Sequence, residues 1–199
     1  MKILVTGFAP FGADERNASW DAVSMLPEVL CGAQLVKRQL PVEYDAVGGA
    51  LAQLLEAERP DAAVCVGQAG GRAAVTPEKV AINWKAGSIA DNAGVVYSGE
   101  KICPDGPDAY FATLPLEKML RAMRERGVPA AMSFTAGTYV CNCTMYHLMR
   151  LLHGSGVPAG FIHVPYGCHQ VLEKPAPSLP LEQIAAALEA ALAALTGKE

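Results

Sequence analysis

Short apolar runs alternate with stretches of helical periodicity along the whole chain, and few folds can absorb that alternation. Lys2–Thr6, Ala62–Val66, Ala130–Phe134 and Gly160–Val164 read as buried strands, and each runs into a turn or breaker: Gly7, Gly67, Ala136-Gly137 and Pro165. Gln34–Leu40 alternates polar and apolar residues as a half-buried strand does, and Lys79–Trp84 has strand character. Between them, Trp20–Leu30, Ala46–Ala57, Leu116–Arg126, Val140–Leu152 and Leu181–Leu195 carry helical spacing. Asn17-Ala18-Ser19 can cap the first, Arg59-Pro60 stops the second and Gly127 ends the third. Ser88–Tyr97 is an irregular excursion. Strands separated by helices of this length must be joined by crossovers, so the expected fold class is α/β: a mostly parallel central sheet with helices on both faces.

The chain has 199 residues, the size of one domain spanning 1–199. With 51% apolar and 18% charged residues it is not a disordered chain. Sixteen basic and 20 acidic residues give a net charge of −4, which offers no field to attract nucleic acid or an anionic membrane. No uncharged apolar run approaches the ~18 residues of a membrane span. The apolar start Ile3-Leu4-Val5 is cut short by Thr6, Gly7, Pro10 and Gly12, and reads as a first strand rather than an export signal. Cys31, Cys65, Cys103, Cys141, Cys143 and Cys168 are then expected to be reduced thiols in a cytoplasmic protein.

Ligands in open α/β sheets bind beyond the carboxyl ends of the strands, which directs attention to the loops 7–12, 67–72, 136–141 and 165–169. Cys141 lies near the start of a helix, where unpaired N–H groups and the helix dipole favour a thiolate and can hold an oxyanion; it could equally be a buried structural cysteine. His163, inside the apolar run Phe161–Val164, needs a partner: it is a hydrogen-bonded core histidine or the base for a neighbouring thiol. Glu78, just before a strand, could orient that imidazole or simply be exposed beside Lys79. The glycines of Gly67–Arg72 lack the spacing of a phosphate loop and mark close backbone approach instead. Cys141, Cys143, His147, His163, Cys168 and His169 have the ligand types for zinc, without the paired spacing of structural sites.

Several segments, in order, resemble the pyroglutamyl peptidase I (pyrrolidone carboxyl peptidase) family of cysteine peptidases. They are Val5-Thr6-Gly7-Phe8-x-Pro10-Phe11-Gly12, Asn17-x-Ser19-Trp20, Val66-Gly67-Gln68-Ala69-Gly70-Gly71-Arg72, Thr76-Pro77-Glu78-Lys79-Val80-Ala81-Ile82-Asn83, Asp91-Asn92-x-Gly94, Ala136-Gly137-Thr138-Tyr139-Val140-Cys141-Asn142 and Gly160-Phe161-Ile162-His163-Val164-Pro165-Tyr166. The resemblance runs from residue 1 to about 195. It implies a three-layer α/β/α sandwich of the phosphorylase/hydrolase-like kind, often a homotetramer, that removes N-terminal pyroglutamyl residues from peptides without metal or cofactor. Carried over by motif, Cys141 is the nucleophile, His163 the general base and acid, and Glu78 the orienting carboxylate. Phe8, Phe11 and Tyr139, with Ile89 and Val140, would line the substrate pocket, and Gln68 and Asn17 would be its polar contacts. Such a pocket suits a flat neutral lactam, for which aromatic faces and a few hydrogen-bonding groups are the matching surface.

Three departures from the family pattern stand out. Ser88-Ile89-Ala90 replaces an Arg-Ile-Pro, and the resemblance implies that the arginine assists the oxyanion or the electrostatics of the site. Cys143 follows Asn142 where histidine is usual, and Tyr166-Gly167-Cys168-His169 is unusual after the catalytic-histidine segment. Ser88 motivates an alternative, a pyroglutamyl-peptide binding protein with weakened turnover; the Cys/His set motivates another, a zinc-binding module.

Overall fold

The computed structural model describes residues 1–197. In chain order the elements are β1 (Lys2–Phe8), α1 (Ala18–Met25), β2 (Val29–Leu30), β3 (Ala33–Leu40), α2 (Tyr44–Glu58), β4 (Ala62–Gln68), β5 (Thr76–Pro77), β6 (Val80–Ile82), β7 (Ala109–Phe111), α3 (Leu116–Glu125), α4 (Val140–Leu151), β8 (Ala159–Val164), β9 (Tyr166–Gly167), β10 (Ser178–Leu179) and α5 (Leu181–Ala193). The central sheet has the order β2-β3-β1-β4-β8-β5. β3, β1, β4 and β8 are parallel, and short antiparallel strands close both edges.

Alternation along the parallel strands builds two cores. Ile3, Val5, Leu35, Val64, Val66, Ile162 and Val164 point to one face, where α1, α3 and α5 cover them with Ala22, Met119, Met123, Ile184 and Leu188. Leu4, Phe8, Val36, Ala63, Cys65 and Phe161 point to the other, against α2 and α4 with Val47, Leu51, Met145 and Leu148. Strands buried on both faces explain the near-continuous apolar runs of the sequence. The expected three-layer α/β/α sandwich with a mostly parallel sheet is the fold found. β3 and β4 flank β1 on opposite sides, so the winding reverses at β1, and a crevice opens at its carboxyl end.

Three expected elements differ. The helix expected to reach Leu30 ends at Met25, because Pro27 forces the residue before it, Leu26, into an extended conformation (ψ 147°). Val29–Leu30 instead pairs with β3 through the two-residue turn Cys31-Gly32, both at positive φ (50° and 81°). The strand expected at Ala130–Phe134 is reduced to isolated bridges, Val75 with Ala130 and Glu78 with Ser133. The flanking bonds exist (Val75 N to Pro129 O, 2.9 Å; Ala131 N to Val75 O, 3.1 Å; Ser133 N to Pro77 O, 2.9 Å), but Pro77 has no N–H for Ala131 O, and the ladder breaks there. The segment expected as strand Lys79–Trp84 leaves the central sheet after Glu78, and only Val80–Ile82 pairs, antiparallel with β7.

Candidate active site

The carboxyl ends of β1, β4 and β8 and the amino end of α4 meet at one place. Gly67 in β4 is in register with His163 in β8. Gly67 has to be glycine: a Cβ there would lie 2.6 Å from Phe161 Cζ and 2.9 Å from Cys141 Sγ. The sulfur therefore rests directly on the β4 backbone beside the strand that carries the imidazole. Phe161 and His163 lie on the same face of β8, their rings 4.8 Å apart. Cys141 and His163 are thus on one side of the sheet, the side covered by α4.

His163 Nδ1 is 2.6 Å from Glu78 Oε1. Glu78 is fully buried at the end of the β5 edge, and Oε1 also accepts from Arg72 Nη1 at 2.6 Å. Burial alone would raise the Glu78 carboxyl, but the His163 bond, with Ser133 and then Arg72 behind it, brings it below its ordinary value. A carboxylate at Nδ1 fixes the neutral tautomer that donates from Nδ1 and leaves Nε2 free to accept a proton. Burial lowers the His163 pKa, against the raising effect of Glu78. Cys141 behaves differently from the sequence expectation of a thiolate. Desolvation of the thiol, reinforced by the Glu78 charge, pushes it up to about 12, outweighing the Arg72 charge and the backbone hydrogen bond at Cys141. The resting pair is a neutral thiol and a neutral imidazole.

The first turn of α4 is open and firmly placed. Its N-cap, Tyr139, makes no side-chain cap bond, and the Cys143 N–H is the first to find a helical acceptor, Tyr139 O at 3.2 Å. The N–H groups of Val140, Cys141 and Asn142 before it have no helical acceptor, the kind of donors that can hold an oxyanion. Buried Asn142 ties this turn down: it donates to Ile82 O and Trp84 O, both 2.9 Å, and accepts from Ile82 N at 3.0 Å. The turn before the helix is tied to Ala86, whose carbonyl accepts from Thr138 Oγ1 and from Tyr44 Oη, both at 3.0 Å.

A cavity of about 30 Å³ adjoins Cys141, lined by Phe8, Phe11, Asn17, Val42, Gln68, Tyr139 and Val140. Of the residues expected there, only Ile89 lies outside the wall, half exposed. Val42, which lies in none of the motifs, also lines the cavity, following β3 in a loop at the same end of the sheet as the others. Asn17 and Gln68 are engaged within the protein. Asn17 Oδ1 caps α1 by accepting from Ser19 N at 3.0 Å, and Gln68 Oε1 accepts from Ala18 N at 2.8 Å. Gln68 Nε2 has only a long contact, 3.5 Å to Asp14, and is the freer group. Tyr139 is held by its hydroxyl, which donates to Ala90 O at 2.9 Å. Asn92, whose motif carried no assigned role, joins two walls by donating to Val42 O from its backbone and to Pro10 O from its side chain, both 2.9 Å. The Cys/His set considered for zinc does not converge: among the described residues no group of three or more His, Cys, Asp or Glu could hold a metal ion.

Comparison with known proteins agrees with this geometry. A family model described as pyroglutamyl peptidase matches residues 1–198. A pyrrolidone-carboxylate peptidase of Thermococcus onnurineus is 48% identical over 191 residues, covering 95% of this chain and 96% of that one. One from Lactobacillus johnsonii is 45% identical over 202 residues, covering 100% and 94%. The crystal structure of pyroglutamyl peptidase I from Bacillus amyloliquefaciens superposes with a TM-score of 0.95 at 41% identity, covering 99% and 97%. With the family model matching nearly the whole chain and close relatives matched end to end, this chain belongs to the pyroglutamyl peptidase family.

Proposed function

We infer that this chain is a cysteine peptidase that hydrolyses the amide bond after an N-terminal pyroglutamyl residue, with Cys141 as nucleophile, His163 as base and acid, and Glu78 as the carboxylate that orients the imidazole. The observation that carries the residue roles is the 2.6 Å bond from His163 Nδ1 to a buried, ionised Glu78, on the sheet face against which Cys141 Sγ packs. In this reading His163 Nε2 takes the thiol proton as sulfur attacks the carbonyl carbon. The N–H groups at the head of α4 hold the oxyanion. The imidazolium returns its proton to the leaving amine, and water, deprotonated by the same imidazole, releases the acyl group. A neutral resting pair makes this general-base attack rather than attack by a preformed thiolate.

The cavity wall supports the substrate class. It offers aromatic and aliphatic faces with two side-chain amides, and no carboxylate that would draw a free α-amine. At about 30 Å³ it has room for about one or two waters, so a lactam ring enters only if a wall moves. Phe11, on the exposed β1–α1 loop, is the wall free to do so, since Tyr139 is bonded to Ala90. Cys141→Ala is expected to abolish dye release from a pyroglutamyl amide, and Cys143→Ala, whose thiol faces Tyr44 O, to keep most of it. Prolyl and glutamyl amides should be cleaved far more slowly; retained activity in Cys141→Ala would remove the nucleophile assignment.

The reading extends to a cytoplasmic homo-oligomer, a tetramer by resemblance, folded as one domain. All six cysteines are free, as a reducing compartment keeps them. No described helix is long and apolar enough to cross a membrane. The outward face of the β6–β7 ribbon carries Val80, Ile82, Ala109 and Phe111 in register, with Phe111 65% exposed. A wholly apolar sheet face of this kind suits a self-association surface. Phe111→Glu should lower the solution mass by light scattering without altering the site; an unchanged mass would exclude this face from the interface.

A further inference from the structure

Arg72 ends the loop after β4 and folds back against the carboxylate. Its Nη1 donates to Glu78 Oε1 at 2.6 Å and to Thr76 Oγ1 at 2.5 Å, and its Nη2 donates to Thr135 O at 3.1 Å. Glu78 Oε1, the oxygen bonded to His163 Nδ1, thus sits between a guanidinium and an imidazole. The same fork reaches the segment that leads into α4. Arg72 is absent from the cavity wall. Its charge is the cation whose influence reaches both Cys141 and His163. Ser88, where the family resemblance calls for arginine, supplies none.

We propose that Arg72 is a positioning residue that locks Glu78 Oε1 onto His163 Nδ1 and supplies a positive charge that, added to burial, helps keep the imidazole neutral until the thiol gives up its proton. This rests on the reading of Cys141, His163 and Glu78 as the reacting set. The physical need is clear. A fully buried carboxylate facing a neutral imidazole is an uncompensated charge; it would take up a proton or draw one onto His163. Either outcome spoils the base. Arg72 balances the carboxylate at rest, and Glu78 then balances the imidazolium as it forms. The titratable and charged groups around the pair are Glu78 at the β5 edge, Arg72 in the preceding loop, Cys141 on α4 and Cys65 on β4.

Arg72→Gln and Arg72→Lys test this in the full chain, by steady-state kinetics on a pyroglutamyl amide across pH and by NMR titration of the His163 imidazole. Arg72→Gln should lower kcat by roughly 10- to 100-fold with KM within about twofold. It should move the acid limb of kcat/KM and the imidazole titration together to higher pH, since loss of a nearby cation favours the imidazolium. Arg72→Lys should return both titrations towards wild type while kcat stays reduced, because an ammonium keeps the charge and loses the fork. Titrations in Arg72→Gln that match wild type, or a loss carried by KM, would overturn the proposal. If Arg72→Gln fails to fold, a full wild-type kcat in Arg72→Lys overturns it equally. Absence of turnover in the wild-type chain would count against the peptidase reading alone, because the imidazole titration needs no substrate.

Discussion

A half-buried, largely desolvated thiol with a pKa near 12 is a poor nucleophile until a base takes its proton, so small displacements of Cys141 matter more than its intrinsic acidity. Gly67 sets that position. In Gly67→Ala the new methyl would meet Phe161 Cζ at 2.6 Å and the sulfur at 2.9 Å, and the ring, packed in the core, has little room to yield. The sulfur moves instead. We expect kcat to fall on the order of 100-fold with KM less affected, measured on a pyroglutamyl amide; a variant with wild-type kcat would show that the contact does not position the nucleophile. At this scale the sequence pointed to Cys141, His163 and Glu78 as the proposed reacting set through long motifs, and the structure brings the segments that carry them to one end of the sheet. The sequence did not carry the charge state of Cys141. A helix N-terminus argues for a thiolate, and only the packing of Gly67, Phe161 and the helix over the sulfur shows that desolvation wins. Nor did it reveal what Arg72 does, because that depends on a loop folding back onto a carboxylate six positions further on.

Elements place these side chains, and the least regular segments carry much of that work. α4 presents Cys141 because Asn142, one residue on, is bonded three times to the backbone of Ile82 and Trp84. Asn142 is fully buried, so Asn142→Ala leaves backbone groups of Ile82 and Trp84 without these partners. The expected cost is roughly 2–4 kcal/mol of stability, with a loss of activity per folded molecule that tracks the loosened turn. Denaturant unfolding alongside active-site titration would check both, and an unchanged midpoint would mean that water replaces the amide without loss. The strands β1, β3, β4 and β8 and the five helices were readable from periodicity. The path from Val75 to Tyr97 was less so. Pro77 interrupts the ladder to Ala131, and the chain then leaves the sheet to pair as β6 with β7, which lies far along the sequence. Pairing at that distance has no local signature. Pro27, by contrast, was visible in the sequence and should have ended the first helix before Leu30.

For the whole molecule, the distribution of buried titratable groups sets a pH window for stability. On the acid side, His163 and Glu78 are both depressed in the folded state, from ordinary values of 6.5 and 4.5. The unfolded chain therefore binds their protons first, and the stability they confer is lost as pH falls below those values. On the alkaline side the sign reverses. Cys65 and Cys143, each 1% exposed, are raised by burial from 9.0 to about 12, and Cys141 is raised to the same value. Their contribution is complete below pH 9 and drains away as pH climbs towards 12, because the unfolded thiols ionise freely while the folded ones cannot. Each unit of that interval is worth about 1.4 kcal/mol per thiol, so the three together cost about 4 kcal/mol at pH 10. Against a typical domain stability of about 5–15 kcal/mol, that lowers the melting temperature by several degrees. Calorimetry at pH 8 and pH 10 should show this drop. Cys65→Ala starts from a lower melting temperature because a packed sulfur is gone, yet it should lose fewer degrees over the same interval. An equal drop in the variant would mean that the folded protein opens enough at high pH to hydrate the thiol, and the two-faced packing of β4 would then be looser than its burial indicates.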